Sequence, residues 1–507
     1  MKINDAQGSK DNSQSVEILL IETFACCPHL ETSGEIAIEF SKKGFKVGIV
    51  FIDVDNPDDY TPKRNFFIPK SRQNRVKALF RVLSDFNIKN HFIEVPDKSD
   101  KSIIYLLFEE IKEQIENCND INCIKKIKLN DIKIGMGVAS SYVSYMRDPE
   151  PCIDKNLIKR YFKSAIATYV ITEKLLQRFS PHKVITYNGR FACSKPIVDV
   201  CKKYSIPLLY HERGATKERY YLSEKSPHDF KAIRASIKEM WESSLDENKE
   251  KIAESYFLRK IKGETIGWVS FTENQIKGLI PEKSKKYRWT YYSSSDDEFI
   301  YVEDYIENPI FKSQTEAIKW LIDYVGNLDD VELVIRVHPH KQQKSQKLRD
   351  FWNNLNGRNV LVVPSHSPVD SYALAKSSDL VIVYNSTIGV EAAYLGKAVI
   401  TIDDALYKSL NCTYEPLSLQ ELDNYLSLKK LQSKEIKNVL PFGYYHMLYG
   451  NLFLYYKPYS LFYGKFVDTY LCYYEENTIF SKLNKIKFKF VLFIRVIKKF
   501  LFVNKRR

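Results

Sequence analysis

The chain has 507 residues, more than one hydrophobic core normally organises, so two domains of about 200 residues each are expected. Hydrophobic residues make up 44% and charged residues 27%, which excludes disordered, collagen-like and low-complexity classes. The net charge of +13 and the isoelectric point near 9.0 predict an anionic partner. Nucleic acid, an anionic membrane leaflet and phosphate-bearing small molecules are the three candidates.

The nine cysteines have neither the pattern of a disulfide framework nor zinc-ligand spacing. The polar start lacks the apolar region of a secretory signal, and no stretch reaches the roughly 18 apolar residues of a membrane span. We therefore expect nine reduced thiols in a cytoplasmic protein.

Strand and helix patterns alternate through the first half, which indicates βαβ units and a parallel sheet. The predicted strands are Val16–Ile21, Lys46–Asp53, Lys183–Tyr187 and Pro207–Tyr210. The predicted helices are Ser33–Lys43, Arg75–Asn87, Ile103–Asn117 and Ser194–Tyr204. The charged stretch from Asp246 to Lys286 is placed at the domain junction.

The second half repeats this rhythm more clearly. Its predicted strands are Arg288–Tyr292, Glu332–Val337, Val360–Pro364, Leu380–Tyr384 and Ala398–Ile402. Its predicted helices are Gln314–Val325, Ser345–Asn354, Asp370–Lys376 and Ser386–Leu395. Two such halves predict an α/β protein of two Rossmann-like domains facing a cleft, with ligands at the carboxyl ends of the strands. The expected divisions are a first domain over 1–255, a linker over 256–286, a second domain over 287–430 and a terminal region over 431–507.

A strand ending in Tyr384 and Asn385 leads into a helix opened by Ser386 and Thr387. Free N–H groups and two hydroxyls at a helix start suit a phosphate, and Glu391, one turn on, could accept from a ribose hydroxyl. An ordinary Ser/Thr cap with an acidic residue in the first turn gives the same pattern.

Two further polar loops follow neighbouring strands of the same domain. In the RVHPH turn, Arg336 and His338 could contact phosphate oxygens, and Ser293 and Ser294 open the SSSDD loop after the preceding strand. A surface histidine beside a turn proline is the alternative reading of the RVHPH turn. Three such loops on one sheet edge nevertheless favour a nucleotide site.

The RVHPH turn and the YNSTIGVEAAYLGK segment resemble the second domain of bacterial capsule and lipopolysaccharide glycosyltransferases of the GT-B fold. The match is best over Ala373–Ile402 and the HP turn, and looser over the first half. The capsule polysaccharide biosynthesis family includes Kdo transferases that use a CMP-activated sugar. Glycerophosphotransferases of teichoic acid synthesis share a similar Ser/Thr-led helix. The resemblance therefore implies the fold more firmly than the donor.

The same resemblance implies a catalytic carboxylate in the first domain, where an acidic residue near a glycine takes the acceptor proton. Glu212 in the HERG segment is the first candidate, although Arg213 replaces a second acidic position of that pattern. An ion pair between Glu212 and Arg213 at the cleft edge is the structural alternative. His29 and Glu31, in the loop after the first strand, are rival catalytic groups, and Thr32 or Ser33 could instead cap the following helix.

Four residues are expected on the acceptor side: Ser140 in the GMGVASS segment, interpreted as a loop, and Asn188, Arg190 and Arg213 after first-domain strands. Asp53-x-Asp55 leaves a metal role open, but no metal and no cofactor is expected. Arg336, His338 and the helix dipole would meet the charge of the leaving group.

From 481 to 507 the chain has ten Lys or Arg residues and no acid, interleaved with Phe, Leu and Val. A basic amphipathic helix of this kind favours an anionic membrane interface, whereas nucleic acid binding is not expected.

These features predict a metal-independent glycosyltransferase at the inner face of the plasma membrane. It would transfer a sugar from a nucleotide donor, with CMP-Kdo-like favoured and UDP- or GDP-sugars as alternatives, to a lipid-linked capsule, O-antigen or lipopolysaccharide glycan. A CDP-polyol phosphotransferase and a non-catalytic scaffold of a polysaccharide assembly complex are the competing interpretations.

Overall fold

The computed structural model describes residues 15–60, 72–267, 270, 272, 274–295, 301–302, 310–339, 341 and 344–471. Its strands are β1 Ile18–Glu22, β2 Val47–Ile52, β3 Asn90–Glu94, β4 Lys183–Tyr187, β5 Leu208–Arg213, β6 Arg219–Ser223, β7 Tyr287–Tyr292, β8 Val331–Arg336, β9 Val360–Val363, β10 Leu380–Val383, β11 Val399–Thr401, β12 Asn451–Leu452, β13 Tyr456–Ser460 and β14 Tyr463–Phe466.

Its α-helices are α1 His29–Lys42, α2 Arg72–Asp85, α3 Lys98–Asn117, α4 Ile121–Lys126, α5 Ile134–Met146, α6 Lys155–Phe179, α7 Lys195–Lys203, α8 Phe230–Glu242, α9 Lys249–Ile261, α10 Gln314–Gly326, α11 Gln346–Asn353, α12 Ser371–Ser377, α13 Ile388–Tyr394, α14 Leu419–Ser427 and α15 Leu440–Leu448. Several begin at an acidic or hydroxyl cap; for example, the Ser313 side chain accepts from the N–H of Glu316.

The first sheet has the strand order β12-β6-β5-β4-β1-β2-β3. β1 and β2 are continuous apolar runs, buried along their whole length, as expected of strands covered on both faces. One face packs on α3 to α7 and the other on α1 and α2, which gives two hydrophobic cores. The sheet is mixed rather than parallel as predicted, because β6 folds back against β5 and β12 pairs antiparallel with β6.

The second sheet is parallel throughout, with the order β11-β10-β7-β8-β9. β7 and β8 are in register from Tyr287↔Val331 to Tyr292↔Arg336, so the loops that follow them leave the sheet side by side. The predicted α/β class with two Rossmann-like domains is confirmed by the two sheets.

Helices α8, α9 and α15 pack together, and α15 leads the chain back to the first sheet. After β12, the hairpin β13–β14 lies against α1, with Tyr456 and Phe466 buried. The buried Glu35 carboxylate of α1 holds this return, since it accepts the N–H groups of Tyr455 at 2.9 Å and Tyr456 at 2.8 Å.

Three local predictions are wrong. Helix α1 begins at His29 rather than Ser33, because Pro28 stands at its cap position and the Thr32 and Ser33 hydroxyls donate back to Pro28 O and His29 O. Neither hydroxyl is therefore the N-cap. Cys118 and Cys123 form a disulfide between the end of α3 and α4, so these two are not reduced thiols as expected.

The segment predicted as a glycine loop, Gly135–Ser141, lies inside α5. Its glycines serve close packing: a Cβ on Gly135 would lie 2.1 Å from Ile124 O, and one on Gly137 would lie 2.8 Å from Cβ of Lys195. The two glycines therefore indicate close packing of α5 on its neighbours and not a turn.

Candidate active site

The three polar loops of the second sheet meet through their own hydrogen bonds. The backbone N–H of His338 donates to the Ser293 hydroxyl at 2.8 Å, and the backbone N–H of Asn385 donates to the Ser294 hydroxyl at 3.2 Å. Both serines are buried, so they join the loops after β7, β8 and β10 rather than face a ligand directly. The sequence-predicted juxtaposition of these loops is present.

No side chain caps the start of α13, although two hydroxyl residues precede it. The helix begins at Ile388 and has seven residues. Thr387 is exposed and Ser386 is half-buried, while the Ser386 carbonyl accepts from the Tyr407 hydroxyl at 2.8 Å. The Thr387 side chain instead hydrogen-bonds the Glu391 carboxyl, which opposes the rise in the pKa of that carboxyl, and phosphate contact by Ser386 and Thr387 stays a prediction.

Arg336 has a different role from the one expected. Its guanidinium is buried and donates to the carbonyl oxygens of Pro364 at 2.8 Å and Ser367 at 3.2 Å, and to the Ser371 hydroxyl at 3.4 Å. Burial lowers the pKa of Arg336 to about 10, which leaves it charged near neutral pH. The N–H groups of the guanidinium hold the loop between β9 and α12 through these hydrogen bonds. This arrangement gives no support to a phosphate contact by Arg336.

Glu391 is buried rather than presented to solvent. Its Oε2 accepts from the Tyr372 hydroxyl at 2.7 Å. Burial raises the pKa of this carboxyl, and the ammonium of Lys260 in α9 partly opposes that rise. The positive charge of Lys260 in α9 therefore acts on a carboxyl of α13.

At the first sheet, Glu212 lies near the end of β5 with its carboxylate held by two donors. Asn188 Nδ2 donates to Oε2 at 2.6 Å, and the backbone N–H of Arg213 donates to Oε1 at 3.0 Å. His29 Nδ1 lies 3.8 Å from Oε1, and the Glu212 side chain keeps 19% of its exposure. A fixed, partly exposed carboxylate of this kind can accept a proton from a hydroxyl.

The other catalytic candidates divide into two groups. His29 shares the Glu212 site, and its ring lies against Tyr187 at 3.9 Å between centroids, tilted by 35°. Glu31, also expected to be catalytic, is instead paired with Arg75 inside the domain, and both side chains are 2% exposed. A carboxylate whose charge is satisfied in a buried pair is not available to substrate. Glu31 is therefore structural.

The acceptor-side candidates occupy two places. Arg190 lines a small pocket together with Gly189 and Tyr210 and with Tyr301, which follows β7, and its Nη1 donates to the Ser140 hydroxyl at 3.2 Å. Ser140 itself is buried in α5. Asn188 and Arg213 lie at Glu212, so the structure brings these two to the candidate base, while Arg190 lies at the pocket and Ser140 contacts Arg190. The contact described between Glu212 and Arg213, whose ion pair was the structural alternative, is the one from the Arg213 backbone N–H.

A buried aromatic layer from α9 and α15 lies between elements of the two domains. The rings of Tyr256 and Tyr449 lie 5.7 and 5.8 Å from the His446 ring between centroids. Tyr449 O accepts the N–H of Ala215, just beyond β5, at 3.0 Å, and Tyr256 packs in the same core as residues of α13. Burial raises the pKa of both tyrosines, and the charges of Glu391 and Glu212 add to the rise at Tyr256 and Tyr449 respectively.

Sequence reasoning missed Tyr256, Lys260, Tyr372 and Tyr449. Helix α9 falls within the charged stretch that was placed at the domain junction. For Tyr449, the signal is the run of tyrosines in and after α15.

The two aspartates that kept a metal role open are engaged in ion pairs. Asp53 accepts from Arg72 and Gln73, and Asp55 accepts from Arg160 at 3.0 Å. No group of three metal-ligating side chains occurs in the part of the chain that the structure describes.

Among the described residues, no helix is both long and apolar enough to span a membrane. The predicted basic amphipathic helix over 481–507 lies outside the described residues.

Comparison with known proteins agrees with the motifs. Residues 307–429 match the family model described as "Capsule polysaccharide biosynthesis protein". No curated protein matches the sequence.

Similar solved structures include the beta Kdo 2,4 transferase KpsC of Thermosulfurimonas dismutans, at 11% identity and a TM-score of 0.35, covering 52% of this chain and 79% of that one. They also include the UDP-GlcNAc 2-epimerase of Neisseria meningitidis, at 13% identity and a TM-score of 0.21, covering 86% of this chain and 95% of that one. The fold assignment rests on the two sheets themselves, and the family resemblance rests on the sequence match. The resemblance to capsule polysaccharide biosynthesis proteins is confirmed over residues 307–429.

Proposed function

We propose that this protein is a glycosyltransferase that moves a sugar from a nucleotide donor to a growing capsule or lipopolysaccharide glycan. The observation that carries the proposal is that both domains present polar groups at the ends of parallel strands: Glu212, held by Asn188 near the end of β5, and the loops joined by Ser293 and Ser294 after β7, β8 and β10. This arrangement supports a first-domain base and a second-domain nucleotide site.

The donor is proposed to bind at the joined loops of the second sheet, with its phosphate near His338, Ser386 and Thr387. Since Arg336 is engaged by backbone carbonyls, we assign Lys260 as the additional cation. The charge of Lys260 acts on Glu391, which lies one helical turn after Thr387 in α13. A CMP-activated, Kdo-like sugar is the favoured donor because of the family match over this domain.

In the proposed reaction, Glu212 accepts the proton of an acceptor hydroxyl while that oxygen attacks the anomeric carbon. The bond from the anomeric carbon to the phosphate oxygen breaks, and the nucleotide leaves with the electron pair. Asn188 and the Arg213 backbone hold the base in one orientation, and the basic groups of the second domain stabilise the departing phosphate. Charge neutralisation by these side chains is proposed to make a metal ion unnecessary.

The acceptor is proposed to be lipid-linked and the protein to work at the inner face of the plasma membrane. Ten basic residues and no acid between 481 and 507 support attraction to anionic lipid headgroups.

The first test is thermal stabilisation of the full chain by CMP, CDP, UDP and GDP. We expect one nucleotide, CMP, to raise the unfolding temperature, and the rise to disappear in a His338→Ala variant. His182, a histidine of the first domain outside the site, provides the matched control as His182→Ala. The absence of a shift with every nucleotide would refute the donor site.

A further inference from the structure

An exposed apolar surface lies on the segment from β12 to β14, which returns the chain to the first domain. Leu454 is 72% exposed and Tyr459 43%, and Leu452 and Phe462 are exposed as well. We call these four residues the hairpin patch. Single exposed apolar side chains are common on soluble proteins, whereas a contiguous group of large ones marks a surface that receives another apolar surface.

The hairpin patch is one stretch of surface, because the turn between β5 and β6 contacts both of its parts. Glu218 O accepts the N–H of Phe453, which stands between the two leucines, at 3.0 Å. The neighbouring Lys217 donates from Nζ to Tyr459 O at 3.4 Å. Since Glu35 also holds the backbone of this return, the patch is a fixed part of the first domain.

Lysines border the hairpin patch. They are Lys42, whose ammonium lies 4.9 Å from the Tyr455 ring centroid, Lys217 at Tyr459, and Lys457 and Lys465, which face each other across β13 and β14. Glu218 and Asp468 lie 3.7 and 4.0 Å from Lys217 and Lys465 and offset part of this charge. Apolar and aromatic side chains bordered by lysines fit the interface of a membrane with anionic headgroups. The leucines and rings enter the acyl boundary there, and the ammonium groups meet the phosphates.

The chain beyond the hairpin adds to this charge. The described residues end at Leu471, which lies in the core under the hairpin, and from 481 to 507 the sequence has ten Lys or Arg residues and no acid. Because this basic segment begins ten residues after Leu471, chain length keeps its start within about 35 Å of that core. A surface and a segment that attract the same lipids act together, since the second contact forms from the already bound state.

The hairpin patch lies at the same end of β5 as the candidate base. Glu212 is near the end of that strand, and the turn that contacts the patch follows it directly. The Arg213 guanidinium lies 4.6 Å from the Phe462 ring centroid. A membrane that receives the patch is therefore adjacent to the end of the strand that carries Glu212.

We propose that the hairpin patch docks on an anionic membrane surface and holds the Glu212 end of the first domain against the lipid that carries the acceptor. This proposal deepens the proposed function and rests on it for the lipid-linked acceptor. An acceptor attached to a lipid of that membrane then extends only a short way from the headgroups to reach the base. A second copy of the chain is the competing occupant. The lysines around the patch favour the membrane, because like-charged copies repel each other.

The test compares the wild-type full chain with a Leu454→Ala, Tyr459→Ala double variant and a matched Tyr105→Ala, Leu106→Ala control. Tyr105 and Leu106 are 62% and 63% exposed on α3, which packs on the opposite face of the first sheet from the hairpin. Sedimentation measures binding to vesicles of phosphatidylglycerol with phosphatidylcholine and, separately, to vesicles of phosphatidylcholine alone. Gel filtration measures self-association, and stabilisation by CMP is measured on the same samples.

We expect wild type and the control to bind the phosphatidylglycerol vesicles equally and phosphatidylcholine alone more weakly. The double variant should bind the phosphatidylglycerol vesicles about tenfold more weakly than wild type, because a leucine and a tyrosine no longer enter the interface. Stabilisation by CMP reports folding and the donor site, so failure of the proposed function shows there and failure of the patch shows in the vesicle arm.

The proposal is overturned if wild type does not bind the phosphatidylglycerol vesicles, or if the double variant binds them as wild type does. An equal loss in the control, or equal binding by wild type to phosphatidylcholine alone, would contradict it too. Loss of self-association in the double variant without loss of vesicle binding would assign the patch to a second copy instead.

Discussion

Replacing Arg336 by methionine separates a structural from a ligand-binding role for the arginine of the HP turn. Methionine keeps most of the apolar stem and removes the guanidinium, which leaves the carbonyls of Pro364 and Ser367 without their donors. Hydrogen bonds to a charged donor are worth about 1.5–3 kcal/mol each, but the contacts at 3.2–3.4 Å are long. We therefore expect a loss of about 3 kcal/mol in the free energy of unfolding.

That loss corresponds to a fall of roughly 10 °C in the unfolding temperature of a domain of this size. The assay is urea denaturation together with a CMP titration well below the transition. We expect affinity for CMP to change by less than about threefold, because the guanidinium points to the β9–α12 loop rather than to phosphate. Arg358→Ala is the control, since that side chain is 64% exposed and should leave stability unchanged. Normal stability with a CMP affinity lowered about thirtyfold or more would refute this reasoning.

Two other predictions concern charge. Burial raises the pKa of Glu391 above its unfolded value, so folding binds a proton between the two pKa values and wild-type stability falls as pH rises through that range. We expect urea denaturation from about pH 4 to pH 7 to show that Glu391→Gln becomes more stable relative to wild type as pH rises. The difference in the free energy of unfolding should grow by about 1.4 kcal/mol for each unit by which folding raises the pKa. If the difference is the same at every pH, Glu391 is not a buried ionisable group. If Lys260 and His338 neutralise the leaving phosphate, sugar transfer should survive dialysis against EDTA with less than about a twofold loss. Full loss of transfer that Mg²⁺ or Mn²⁺ restores would refute the metal-independent mechanism.

The meeting of the second-sheet loops was predictable because parallel strands bring successive carboxyl ends to one edge, whatever the side-chain detail. Ser293, His338 and Asn385 meet for that reason. The direction of a side chain was not predictable: Arg336 follows its strand as expected, yet its guanidinium turns into the loop before α12, where carbonyls from distant residues receive it. Sequence spacing carries no information on such long-range acceptors.

The structure of the first domain was harder to predict from the sequence. Pro28 starts α1 four residues earlier than the hydroxyl pattern suggested, which moves Glu31 into the core beside Arg75. The disulfide depends on the turn between α3 and α4, which brings the Cα atoms of Cys118 and Cys123 within 5.3 Å. Both outcomes depend on tertiary packing that local propensity does not encode.

The most direct test of the account measures sugar transfer by Glu212→Gln, with the donor whose nucleotide stabilises the wild-type protein. Glutamine keeps the shape and can still contact Asn188, but it cannot accept a proton from the acceptor. We predict a loss of about a hundredfold or more in transfer, with nucleotide stabilisation unchanged. Transfer by the variant within about twofold of wild type would contradict the assignment of Glu212 as the base and the active site built around it.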